Sequence, residues 1–112
     1  NQVTNLNISG CTSLAELDCA RNQLTTLDVS GYTSLKELYC YGNQLTTLNV
    51  SGCTSLKVLW CYDNQLTTLD VSSCTSLEKL TCYSNPNLKT IYKKKGQDIN
   101  ILAPLYVEII EL

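Results

Sequence analysis

Three kinds of side chain could carry chemistry in this chain: seven cysteines, ten carboxylates, and an aromatic set of one tryptophan and seven tyrosines. There is no histidine. Its absence removes the commonest general acid–base group, the Ser-His and Cys-His nucleophile pairs, and His-ligated zinc. Catalysis would fall to paired carboxylates, for which Glu16, Asp18 and Glu37 are the candidates. Such groups need a pocket that perturbs their pKa, and nothing in the sequence supplies one. The net charge of −2 gives no general basic field for nucleic acid. The one basic cluster, Lys93-Lys94-Lys95, reads as a solvated turn.

The cysteines follow position rather than pairing. Cys19, Cys40, Cys61 and Cys82 recur every 21 residues in Leu-x-Cys. Cys11, Cys53 and Cys74 recur before Thr-Ser-Leu, with Tyr32 in the remaining slot. Their odd number leaves at least one unpaired within the chain. Buried free thiols, acting as small hydrophobes, fit this placement best. One or more disulfides and a metal site are the alternatives, although no short Cys-x-x-Cys spacing is present.

The elements that must hold these groups are four repeats, starting at Cys11, Tyr32, Cys53 and Cys74. A short sequence repeated in this way predicts a solenoid. Leu14, Leu35, Leu56 and Leu77 fill one core column, and Leu17, Leu38, Leu59 and Leu80 the next. Leu24, Leu45 and Leu66, then Leu27, Leu48 and Leu69, then Val29, Val50 and Val71 complete the interior. Leu-x-x-Leu-x-Cys is echoed within each repeat by Leu-x-x-Leu-x-Val, so each coil is two similar halves. The period-two pairs Leu17/Cys19 and Leu27/Val29 predict strands of about 3–4 residues, stacked ~4.8 Å apart in parallel sheets. The Cys half is the firmer strand, and irregular extended chain is the alternative for the Val half. Asn22, Asn43, Asn64 and Asn85 mark one corner, where an amide ladder would satisfy inward-facing backbone groups. Gly10, Gly31 and Gly52 mark the other, where unusual dihedrals are expected and Ser73 breaks the column.

Residues 1–13 match the second half of a repeat, so the chain opens in mid-coil. At the far end, Asn85-Pro86-Asn87-Leu88 inserts one residue relative to Asn-Gln-Leu. Leu88 and Ile91 still allow a last half-coil. The solenoid is therefore expected over 1–91, and a β-rich C-terminal cap over 92–112, built from the runs 99–102 and 105–112. No apolar run approaches the ~18 residues that span a bilayer.

The segment Leu35-x-x-Leu38-x-Cys40-x-x-Asn43-x-Leu45 resembles the consensus of leucine-rich repeats. With Thr-x-Leu-Asn-Val-Ser behind it, and Asp for Asn in the neighbouring repeats, the repeat is similar to the 21-residue nested (IRREKO-type) class of bacterial surface and secreted proteins. The likeness covers roughly residues 2–91. It implies a leucine-rich repeat solenoid, mainly β with little or no helix, whose concave strands recognise another molecule. It also implies a secreted or cell-surface setting, and it carries no catalytic residue.

Strand alternation turns Glu16, Asp18 and Ala20 outward, then Glu37, Tyr39 and Tyr41, then Val58, Trp60 and Tyr62, then Lys79, Thr81 and Tyr83. Five of the eight aromatic residues, Tyr39, Tyr41, Trp60, Tyr62 and Tyr83, thus share one largely exposed face. Tyr and Trp are favoured at binding hot spots. Stacked aromatics also stabilise a sheet, which is the simpler explanation for them. The expected function is a non-catalytic binding module, with that aromatic set as the site and Glu37 and Asp18 at its acidic margin. A protein or peptide is the expected partner. A glycan could stack on flat rings, with Asp63 and Arg21 giving polar bonds at the edge. The alternative is a structural spacer or stalk within a larger surface protein. No cofactor, metal or nucleic acid is expected. The Thr25-Thr26, Thr46-Thr47 and Thr67-Thr68 pairs are read as solvent-facing strand residues. Their adjacent spacing and the Asp28/Asn49/Asp70 column argue against an ice-binding ladder.

Overall fold

The computed structural model describes residues 2–112. Asn1, where the expected solenoid begins, lies outside the described residues. Each coil supplies two short strands, one per half. The first half-coils give β1 (Glu16–Asp18), β3 (Glu37–Tyr39), β5 (Val58–Trp60), β7 (Lys79–Thr81) and β9 (Asn100–Leu102). The second give β2 (Thr26–Asp28), β4 (Thr47–Asn49), β6 (Thr68–Asp70), β8 (Thr90–Lys93) and β10 (Glu108–Glu111). The former make a five-stranded parallel sheet in the order β1-β3-β5-β7-β9. The Val halves are strands as well, but their wall is split into β2-β4 and β6-β8-β10.

Register follows the leucine columns. Leu17, Leu38, Leu59, Leu80 and Ile101 face one another across the first sheet. Leu38, Leu59 and Leu80 are fully buried, as are Cys40, Cys61 and Cys82. A single coil cannot cover these side chains, but its neighbours above and below do. The end coils show the converse. Leu14 and Leu17 are only partly buried, and Ile109, opposite the buried Ile91, is 45% exposed.

All seven cysteines are free. Six are buried, and Cys53 and Cys74 donate their thiols to Val29 O (3.1 Å) and Val50 O (3.4 Å) of the preceding coil. Cys11 departs from the expected burial and is exposed. It opens the first repeat, and among the described residues no coil covers it as those carrying Val29 and Val50 cover Cys53 and Cys74. Tyr32, in the same slot, donates its hydroxyl to Ile8 O.

The asparagine corner is built as a ladder. Asn64 Nδ2 donates to Cys61 O (3.0 Å), to Tyr62 O (3.2 Å) and, in the previous coil, to Cys40 O (3.1 Å). Its Oδ1 accepts from Leu45 N–H at 3.0 Å. Asn43 and Asn85 repeat the pattern. One amide therefore satisfies the inward-facing groups of two coils, which water cannot reach.

Two corners need left-handed backbone. Gly31 and Gly52 both have φ +78°. Gly31 N–H donates to Ser51 O (2.8 Å), whereas Gly52 N–H donates to Ser73 Oγ (2.9 Å), so a hydroxyl takes the carbonyl's place where the glycine column ends. The second wall divides at this same step, between β4 and β6. A second left-handed column, Arg21, Gly42, Asp63 and Ser84 (φ +60°, +71°, +59° and +54°), is signalled by residue type only at Gly42.

The C-terminal segment is β-rich, as expected. It reaches that state by extending both walls. β9 pairs with β7 and β10 with β8, each parallel. The inserted residue is absorbed at the corner, where the Tyr106 hydroxyl donates to Pro86 O at 3.0 Å.

Candidate aromatic binding face

Because strand residues alternate, the outward side chains of the five-stranded sheet form rows across the coils. One row is Asp18, Tyr39, Trp60, Thr81 and Leu102. A second is Glu16, Glu37, Val58, Lys79 and Asn100. Just beyond the strands, Tyr41, Tyr62 and Tyr83 make a third. All seven residues singled out from the sequence fall on this one face.

The aromatic side chains touch one another. Tyr41 and Tyr62 stack with ring centroids 4.6 Å apart and planes 6° from parallel. Tyr62 and Tyr83 stack at 4.8 Å and 18°. Trp60 and Tyr39 meet in a T-shaped arrangement at 4.8 Å and 64°, and Trp60 lies 6.2 Å from Tyr41. The Arg21 guanidinium sits 5.5 Å from the Tyr41 ring and closes that end of the stack. Such contacts each add about 0.5–1.5 kcal/mol beyond area burial.

This packing corrects the expectation of a largely exposed patch. Trp60 (38%) and Tyr83 (43%) are exposed, while Tyr39, Tyr41 and Tyr62 are half-buried. The ring faces of Tyr62 are taken by its two neighbours, so it offers solvent its edge and hydroxyl. Burial, followed by the neighbouring phenols, raises the Tyr62 pKa.

The carboxylates are held by local bonds. Glu37 Oε1 accepts from the Tyr39 hydroxyl at 2.9 Å, which favours the neutral phenol and raises its pKa. Asp18 Oδ1 accepts from Ala20 N–H at 3.1 Å. Glu16 and Glu37 stand directly opposite in register, an unfavourable like-charge pair.

Beside the stack lies a groove of about 370 Å³ lined by Trp60, Tyr62, Tyr83, Lys79, Thr81 and Leu102. Leu102 and Asn100 complete its far wall and were missed as site residues. The signal was present, because Ile101 stands 21 residues after Leu80 and so continues the column. The change from Leu-x-Cys to Ile-Leu-Ala at that point hid it.

No group of His, Cys, Asp or Glu suited to a metal ion occurs among the described residues. Among the described residues no helix is long and apolar enough to cross a membrane.

Searches among curated proteins and among solved structures return no match. A family model described as leucine-rich repeats (2 copies) matches residues 12–52, 33–72 and 54–94. These overlapping matches cover well over half of the chain and fall on the coils that present the aromatic face, so the chain belongs to the leucine-rich repeat family.

Proposed function

We propose that this chain is a non-catalytic module that binds a protein or peptide through the aromatic strand face. Leucine-rich repeats generally mediate protein–protein binding or serve as scaffolds. The observation that carries the reading is the groove beside the tyrosine stack. There Trp60 and Leu102 remain exposed against a wall already made rigid by Tyr39, Tyr41, Tyr62 and Tyr83. Rigid, half-buried aromatics lose little side-chain entropy on binding, which is a property of hot spots. The same stacking covers both faces of Tyr62, so of the central rings only the exposed Trp60 and Tyr83 are left for a glycan to stack on.

Glu37, Asp18 and the opposed Glu16 give the β1–β3 margin of the face its acidic character. In this reading they steer the partner and fix its orientation. A secreted or cell-surface setting, of the kind the resemblance to nested bacterial repeats implies, belongs to the same proposal.

Phage-displayed random peptides, selected on the chain and then titrated against Trp60 fluorescence, test it. A saturable shift in Trp60 emission, abolished in Tyr83→Ala and in Leu102→Ala, is the expected result. Absence of any saturable peptide would favour a spacer whose tyrosine stack serves the sheet alone.

A further inference from the structure

The repeat breaks at one corner, and that corner carries a second cleft. Asn85-Pro86-Asn87 is one residue longer than the Asn-Gln of the earlier coils. The chain returning after β9 brings Pro104 and Tyr106 against it. Between them opens a cleft of about 510 Å³, lined by Asp63, Gln65, Ser84, Pro86, Pro104 and Tyr106. Asp63 and Ser84 directly follow Tyr62 and Tyr83, which line the aromatic groove. The two concavities therefore sit on the same pair of coils, separated by the Tyr62–Tyr83 stack.

The walls differ in chemistry. One side is apolar, with two prolines and the Tyr106 ring, whose hydroxyl is held by Pro86 O. The same lining includes Asp63, its one charged residue. The ion pair found among the described residues joins Lys93 to Glu111, and among those residues Asp63 has no cation within ion-pair distance. A carboxylate, a tyrosine ring and two prolines around one cleft match a long aliphatic side chain with a cationic tip. The methylenes would pack on Pro86 and Pro104, and the charge would meet Asp63 and the face of Tyr106. Lys79 in the neighbouring groove sets the order, repelling a second cation there.

We propose that this cleft takes a lysine or arginine side chain of the bound polypeptide, next in sequence or nearly so to an apolar residue seated in the Trp60–Leu102 groove. This rests on the peptide-binding reading above and adds to it a preference at one position.

The test uses the full chain and the same displayed peptides. Asp63→Asn is the variant, because asparagine tolerates the left-handed φ of +59° and the fold is kept. Selection on the unaltered chain is expected to enrich Lys or Arg beside an apolar anchor. Against the best such peptide, Asp63→Asn is expected to weaken binding about tenfold. Replacing the peptide's basic residue by alanine should cost at least as much on the unaltered chain and clearly less on Asp63→Asn, where only the packing on Pro86, Pro104 and Tyr106 is left to lose. Trp60→Ala should weaken binding in every case. Peptides that depend on Trp60 but show no basic preference, or lose nothing with Asp63→Asn, would overturn the cleft assignment and leave the aromatic face standing. Selection that yields no peptide at all would overturn both.

Discussion

The ring of Tyr62 lies 4.6 Å from that of Tyr41 with only 6° between their planes, and the two residues occupy the same position in successive coils. The 21-residue period thus aligns side chains as closely as it aligns backbone. With Tyr83 on its other side, Tyr62 is sandwiched. Tyr62→Ala removes both stacks and is expected to cost about 2 kcal/mol in denaturant unfolding. Tyr62→Phe keeps the rings and should stay within about 0.5 kcal/mol of the parent. A phenylalanine variant as unstable as the alanine one would show that the hydroxyl, not the stack, matters.

Asn64 makes four hydrogen bonds and is 1% exposed. Asn64→Ala leaves the buried Leu45 N–H without a partner and takes one of two donors from each of Cys40 O, Cys61 O and Tyr62 O, and is expected to destabilise by about 2–3 kcal/mol. Asn22 sits at the open end, half-buried, with Val3 N–H as its Oδ1 partner at 3.2 Å. Asn22→Ala should cost about 1 kcal/mol. Equal losses at the two positions would mean that burial does not set the ladder's value.

The fold was legible because leucine, cysteine and asparagine each kept a fixed place in the period. Leu38, Leu59 and Leu80 face inward as alternation requires, and Tyr39, Trp60 and Tyr41 face outward. What the sequence hid arose where residue type and position part. Arg21, Asp63 and Ser84 are left-handed at a corner where only Gly42 advertises it. Ile101 keeps the core register in a segment whose consensus has gone. The exposure of Cys11 depends on which coils flank it, and its own motif is identical to that of the buried Cys53 and Cys74. The cleft beside Asp63 needs Pro104 and Tyr106, about forty residues away along the chain, and no local pattern joins them.

The left-handed column makes a prediction about backbone strain. Ser84 at φ +54° carries a cost that glycine escapes. Ser84→Gly is expected to stabilise by about 0.5 kcal/mol, after allowing for the greater freedom of glycine in the unfolded chain. Gly42→Ala runs the other way. Its φ is +71°, and the added Cβ would lie 3.3 Å from Arg21 Cγ. A loss of about 1–2 kcal/mol is expected. Thermal unfolding of both variants checks the pair, and the same sign in both would refute the strain account.

The cysteine columns tie stability to alkaline pH. Burial pushes the Cys82 and Cys74 thiols up to about 12 and Cys19 to about 11, against an ordinary value of 9.0. A thiol whose folded pKa is raised favours the fold fully below its unfolded pKa. That contribution is lost as pH climbs toward the folded value, because the unfolded chain sheds the proton first. Stability should therefore be independent of pH through these thiols near pH 7 and fall between about pH 9 and 12. Tyrosine and lysine titrate in the same range, so the comparison is with Cys82→Ala. That variant is less stable at pH 7 because it leaves a small cavity, yet its alkaline decline should be shallower. Under native conditions at pH 8, a thiol reagent should modify Cys11 within minutes and spare the six buried thiols until the chain unfolds. Rapid modification of more than one thiol would mean that the coils open locally far more often than their packing implies.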